Sequence, residues 1–344
     1  MRNHHNNALP LTAAGLPPLT HARRRVARLM SLVLCGLVLG LTSPGNGAHA
    51  GELSVTVLGS GGPMALDDRA SAGYLIDIDG VPRIFMDAGG GTLVRLGEGR
   101  IFNLERVDLW LLTHLHIDHV AEFPAIVKSM YYLRRGYNIN TPLTIIGPEA
   151  WGKFPSATQF VADHFDETDG TYAYLHDFLN TVYSPDMKLE TINVPYDYET
   201  VRTPVLAFEK DGVRVSTIPV MHGPRESQTP SVAFRVDYDG KSITYSGDLN
   251  SDSGNLLALA MGTDILIYDT ALGAAQRFDP PDLFHSLPAE IGQTAQAAGV
   301  KKLVLSHFMP PYTDQKIERI VSRVKEHYSG EVIVAHDLLS IAAQ

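Results

Sequence analysis

The stretch Val107-Asp108-Leu109-Trp110-Leu111-Leu112-Thr113-His114-Leu115-His116-Ile117-Asp118-His119 runs from an apolar strand straight into four side chains able to bind a metal. Side chains alternate along extended backbone, so His114 and His116 leave the strand on one side, and the next turn brings Asp118 and His119 to a second position. One histidine alone is more often a core or capping residue than a ligand. Four ligand-type residues within six positions at a strand exit have no comparable structural explanation. Two close divalent ions need more donors than this loop supplies, so the rest must come from other strand ends. His222 in Val-Met-His-Gly-Pro, Asp248 in Ser-Gly-Asp and His307 in Ser-His-Phe each follow a predicted strand.

The elements that must position these residues are short β-branched runs alternating with turns and amphipathic stretches. No period of roughly 20 to 50 residues repeats, which argues an α/β domain rather than a solenoid. Strands are predicted near 53–58, 73–79, 83–87, 107–112, 143–146, 213–219, 231–237, 241–246, 264–268, 302–306 and 331–335. Helices are predicted at 119–135, 157–180, 253–261, 288–298 and 314–327. The stretch 148–204 is rich in aromatics and acids and reads as a helical insertion, with Tyr172 to Phe178 as stacking surfaces for an aromatic leaving group. Gly59-Ser60-Gly61-Gly62-Pro63 lacks a lysine at phosphate-loop spacing and reads as a tight turn.

The order His-x-His-x-Asp-His, then His, then Asp, then His resembles that of the metallo-β-lactamase-fold hydrolases, and the resemblance covers essentially everything after residue 50. It implies an αββα sandwich forming a single domain over 51–344. It also implies that His114, His116 and His222 hold a first metal, that Asp118, His119 and His307 hold a second, and that Asp248 bridges them. The implied cofactors are two Zn²⁺, with Mn²⁺ or Fe as alternatives for a set of imidazoles and carboxylates without thiolate. Asp87, in Phe-Met-Asp-Ala-Gly-Gly-Gly-Thr, matches the family's first motif and is expected to orient the histidine loop, with Gly89, Gly90 and Gly91 letting the chain pass close by.

Phe284-His285-Ser286 before a predicted helix, followed by Leu-Val-Leu-Ser-His, is similar to the ribonuclease Z and arylsulfatase branch of that superfamily. In that branch a histidine at this place reaches the reaction centre, so His285 is the expected general acid, acting with Asp118 and Asp248. One departure is Ile267-Tyr268-Asp269, where relatives often carry a His-Glu pair. The implied reaction is hydrolysis of a small anionic ester, a phosphodiester or an aryl sulfate, by a hydroxide held between the metals. The alternatives are a ribonuclease Z-type endoribonuclease and a lactonase or thioester hydrolase on the same site. A homodimer is a further expectation from the resemblance.

The first fifty residues carry five arginines and no acid, then the apolar run Leu29 to Leu41 and Ala48-His49-Ala50. This pattern predicts an export signal cleaved after Ala50, by the Sec or twin-arginine route, and a periplasmic or secreted protein without a permanent membrane anchor. Cys35 leaves with the signal. The remaining 294 residues hold 23 basic and 38 acidic side chains, a formal net charge of −15. Such a surface repels nucleic-acid backbones, and only twenty-five residues separate His222 from Asp248, where ribonuclease Z usually carries a long RNA-gripping arm. Nucleic acid is therefore not the expected partner.

Overall fold

The computed structural model describes residues 51–344 apart from 65–67, 180–186, 274–283 and 310–312. The expected export signal, with Cys35 and the cleavage point, lies outside the described residues. Among the described residues no helix is long and apolar enough to cross a membrane.

In chain order, the first sheet takes β1 (Leu53–Gly59), β2 (Gly73–Ile78), β3 (Val81–Met86), β4 (Leu109–Leu111), β5 (Leu143–Pro148) and β6 (Leu189–Val194). The second takes β7 (Val205–Lys210), β8 (Val213–Val220), β9 (Ser231–Tyr238), β10 (Lys241–Tyr245), β11 (Ile265–Asp269), β12 (Lys302–Ser306) and β13 (Glu331–Val334). The last strand, β14 (Ser340–Ala342), returns to the first sheet and pairs antiparallel with β1. Helices α1 (Thr92–Glu98), α2 (Ile117–Val120), α3 (Phe123–Tyr137), α4 (Ala157–Phe165) and α5 (His176–Leu179) belong to the first half, and α6 (Asn255–Ala260), α7 (Pro288–Ala298) and α8 (Asp314–Lys325) to the second.

Side-chain periodicity explains the layering. In β11, Ile265 and Ile267 enter the core between the sheets, while Leu266 and Tyr268 face outward onto Leu256, Leu259, Ile291, Ala295, Ile320 and Val324 of α6, α7 and α8. Both faces of the strand are thus covered, which is why Ile-Leu-Ile-Tyr carries no strongly polar residue. Across the molecule, Phe85 and Trp110 stack at 4.5 Å on the outer face of the first sheet and meet Phe123, Ile126 and Val127 of α3. Helices therefore cover both outer faces, giving the αββα sandwich.

The stretch 148–204 differs from its expected form. The predicted helix over 157–180 ends at Phe165, and after a short 3₁₀ turn only His176–Leu179 is helical again. Leu189–Val194 is a strand, parallel to β5. The stretch is therefore not simply a helical insertion, since part of it completes the first sheet. As an edge strand with Glu190, Ile192 and Asn193 exposed, β6 lacks the apolar run that marks a buried strand.

The strands decide where chemistry can sit. Both β8 and β10 run antiparallel to β9, and β10, β11 and β12 are mutually parallel, so all four point their C-terminal ends the same way. Their ends deliver His222, Asp248, Asp269 and His307, while parallel β3 and β4 deliver Asp87 and the histidine loop.

Candidate metal centre

The metal-ligand residues named from the sequence fall into two groups. His114, His116 and His222 offer nitrogens that all lie within 4.8 Å of one another, and so do the donor atoms of Asp118, His119, Asp248 and His307. In the first group His114 Nε2 is 3.1 Å from His116 Nδ1, which is 3.3 Å from His222 Nε2. Nitrogens sharing a tetrahedral zinc with bonds of about 2.0–2.1 Å are separated by roughly 3.4 Å. The opposite ring nitrogens have other partners: His114 Nδ1 meets Thr113 Oγ1 at 3.1 Å, His116 Nε2 meets Thr229 Oγ1 at 3.1 Å, and His222 Nδ1 donates to the Phe284 carbonyl at 2.8 Å. The atoms left facing one another are lone-pair donors, as a cation requires.

In the second group His119 Nε2 and His307 Nε2 are 3.3 Å apart, and Asp118 Oδ2 is 3.3 Å from His307 Nε2. Asp248 stands against both groups, with Oδ1 3.3 Å from His119 Nε2 and Oδ2 3.3 Å from His307 Nε2 and 3.9 Å from His114 Nε2. Its Oδ1 is buried without a hydrogen-bond partner among the described residues. A bare buried carboxylate oxygen is costly unless it coordinates, so the residues present fit a pair of divalent ions.

Two further carboxylates hold the ligands from behind. Asp87 Oδ2 accepts from His119 Nδ1 at 2.8 Å and from Thr113 Oγ1 at 2.7 Å, and Oδ1 accepts from the Thr113 amide at 2.9 Å. Asp269 is a residue whose part the sequence did not disclose. Its Oδ2 lies 2.6 Å from His285 Nδ1 and its Oδ1 3.3 Å from His307 Nδ1, so one side chain steadies both. Its strand ends in an acid just as β10 leads to Asp248, and that pattern was the available sign.

The backbone is bent to suit. Asp87 has φ 55° and His307 φ 60°, a region where residues other than glycine are uncommon and which clusters at functional sites. A Cβ on Gly89 would lie 1.9 Å from the Asp118 carbonyl oxygen, so glycine there lets the two loops meet. In the 59–62 turn, Ser60 O accepts from the Phe308 amide and the Gly62 amide donates to Phe308 O, gripping the residue after His307.

Electrostatics separates the groups. Burial pushes His222 down to about 4 and His114 well below the ordinary histidine value, with His119 adding to the shift in His114. Burial lowers His116 as well, so the first triad favours the neutral form, which donates lone pairs. Burial also works against a charged His307, but Asp248, Asp118 and Asp269 overcome it and push it up to about 10. His285 is raised in the same way, burial being outweighed by Asp269. The second group is thus a setting that favours positive charge, whether carried by protons or by a metal.

His285 is half-buried, its ring centroid 5.4 Å from that of His222 and 6.0 Å from that of His307. It can also join His222 and Asp248 as a third possible donor group. Tyr172 and Phe178, expected as stacking surfaces for a leaving group, pack instead on the core beneath α3 and α4, while Tyr174 lies exposed over Lys128.

Known proteins resemble the chain in sequence and in fold. A profile of the beta-lactamase superfamily domain matches residues 157–308. Ribonuclease Z of Mycobacterium bovis (strain BCG / Pasteur 1173P2) is 30% identical over 293 residues, covering 83% of this chain and 96% of its own length. The chain belongs to the metallo-β-lactamase-fold superfamily, among the homologues of ribonuclease Z. Two solved structures share the fold at 20% identity: the metallo-beta-lactamase fold protein YhfI from Bacillus subtilis, with TM-score 0.62 over 85% of this chain and 100% of that one, and human tRNase Z, short form, with TM-score 0.59 over 85% and 99%. Membership of this superfamily and the paired donor groups make the chain a metal-dependent hydrolase.

Proposed function

We propose that this hydrolase cleaves phosphodiesters with two divalent ions at the paired donor groups. The observation that carries the reading is Asp248, a buried carboxylate set against both groups beside the Asp269–His285 pair. His114, His116 and His222 would hold one ion, Asp118, His119 and His307 the other, and Asp248 both. Zinc suits these donors, and manganese or iron would also accept them. Bound there, the ions would supply Lewis-acid polarisation of the ester and ready deprotonation of water.

The chain's own residues do the rest. Asp87, Thr113 and the Phe284 carbonyl hold His119, His114 and His222 in the tautomers that aim Nε2 inward. Asp269 accepts from His285 Nδ1 and leaves Nε2 as the atom that passes a proton to the departing oxygen. Aryl sulfates carry the same single negative charge on a tetrahedral centre, so they form the comparison class. The test is the zinc-loaded 51–344 chain on nitrophenyl phosphodiester, nitrophenyl sulfate, cyclic nucleotide and lactone. Phosphodiester turnover is expected to dominate, and faster sulfate or lactone hydrolysis would replace this reading.

A second reading, transfer-RNA processing, is favoured by the name of the mycobacterial relative. With 96% of that relative matched, the short span between His222 and Asp248 loses much of its force as an argument against it. The formal charge of −15 after residue 50 still favours a small ester. Salt-sensitive binding of precursor transfer RNA with cleavage at its 3′ trailer would decide for the second reading. Export belongs to the same proposal: N-terminal sequencing of the exported protein should begin at Gly51, whose amide already faces the Asp239 carboxylate.

A further inference from the structure

The first histidine triad is flanked by aromatic rings. The Phe154 centroid is 5.7 Å from that of His116, and the Phe284 centroid is 5.5 Å from that of His222, edge-on at 88°. His116 and His222 are themselves 5.1 Å apart, so the two phenylalanines approach the triad through neighbouring histidines. Between the ligands, Ile117 is 75% exposed, and Phe284 is 41% exposed. Single exposed apolar residues are ordinary on a protein surface. Two phenylalanine rings set against the histidines of a polar centre suited to cations are a different matter, because they offer apolar contact next to the place where an anionic ester would react.

The rings are also held in place. Phe154 exchanges backbone hydrogen bonds with Trp151, whose ring stacks on Tyr196 at 5.4 Å. The Phe284 carbonyl accepts from His222 Nδ1, and Gly223, at φ 106°, packs so tightly that a Cβ there would lie 2.9 Å from Phe284 Cε1. A ring already ordered loses little conformational entropy when a ligand stacks on it. The His285 ring also stands 5.4 Å from that of His222, so Phe284 and His285 flank the same histidine.

We propose that Phe154 and Phe284 form a specificity rim that receives a planar aromatic ring carried by the leaving group of the ester. This rests on the hydrolase reading above and adds the class of leaving group. An aryl ring and a nucleobase present the same flat apolar face, and the test separates them.

The measurement is calorimetric binding of non-hydrolysable phosphonates to the zinc-loaded 51–344 chain. Phenylphosphonate should bind about tenfold more tightly than methylphosphonate, the size expected for one aromatic contact with burial of its apolar face. A nucleoside phosphonate binding more tightly still would identify the nucleobase as the source, and weaker binding would identify the simple aryl ring. The Phe154→Ala/Phe284→Ala variant should lose most of the phenyl preference while methylphosphonate affinity and metal content hold. Phe154→Leu/Phe284→Leu, which keeps apolar bulk but removes flat rings, should lose it in part and guards against a folding defect. Equal affinity for the two phosphonates, or a preference that survives both variants, would overturn the rim. Because no turnover is read, diester hydrolysis without phenyl preference would dismiss the rim alone, and phenyl preference without diester hydrolysis would dismiss the phosphodiester reading alone.

Discussion

Asp269 Oδ2 lies 2.6 Å from His285 Nδ1. The buried carboxylate, 1% exposed, also accepts from the Leu249 and Ala271 amides, so it is fixed before it meets the imidazole. A histidine held this way keeps one tautomer and one direction, which is what proton delivery at a defined atom requires.

From that pair follows a split by leaving group. His285→Ala should keep both ions yet lose about 10²- to 10⁴-fold in kcat on diesters with poor leaving groups, and far less on nitrophenyl esters, which depart unprotonated. Asp269→Asn should show the same split more weakly. Equal losses on both substrate types would remove the general-acid role, and loss of metal in His285→Ala would make it a ligand.

Metal analysis after zinc loading should give about two ions per chain, as the two donor groups require. Asp248→Ala should lower occupancy at both positions, because its carboxylate faces both, whereas His307→Ala should mainly empty the second. A stoichiometry that stays at one or below in the unmodified chain would end the dinuclear reading.

Gly62 offers a probe of the second group that replaces no ligand. A Cβ there would stand 2.9 Å from His307 Cε1 and 3.2 Å from Met309 Cγ. Gly62→Ala should therefore weaken the second ion about 10- to 100-fold, the usual range for disturbing a ligand's support, and leave the first triad loaded. Chelator competition reads both affinities, and two unchanged constants would show that His307 yields freely.

Asp77 gives a pH test away from the metals. Burial, with Glu52 nearby, raises its carboxyl to about 6 from the ordinary 3.8. The folded state then holds this proton more tightly than the unfolded chain, so the group costs stability increasingly as pH rises from about 4 to about 6, and the cost is complete above that. Asp77→Asn should raise Tm at pH 7.5 and give no gain at pH 4. A gain of equal size at both values would point to packing instead of charge.

The sequence alone named the metal-ligand candidates on or just after strand exits, Asp118 and His119 falling in the short α2, and anticipated eleven of the strands, because buried strands carry long apolar runs and a ligand loop concentrates donors in a few adjacent residues. Edge strands β6 and β7, half exposed and partly polar, were not legible for want of that run, and neither was the seven-residue α1 or the three-residue β14. The helix predicted over 157–180 stops at Phe165 because the Asp166 carboxylate accepts from the Thr168 and Asp169 amides and turns the chain there. Only the tertiary structure could join Asp269 to His285 and His307 across 16 and 38 positions, or set Phe154 beside His116 and Phe284 beside His222. Local periodicity reports which way a residue faces, but which distant residues share that face depends on the order and direction of the strands, and that is settled by packing two sheets into one sandwich.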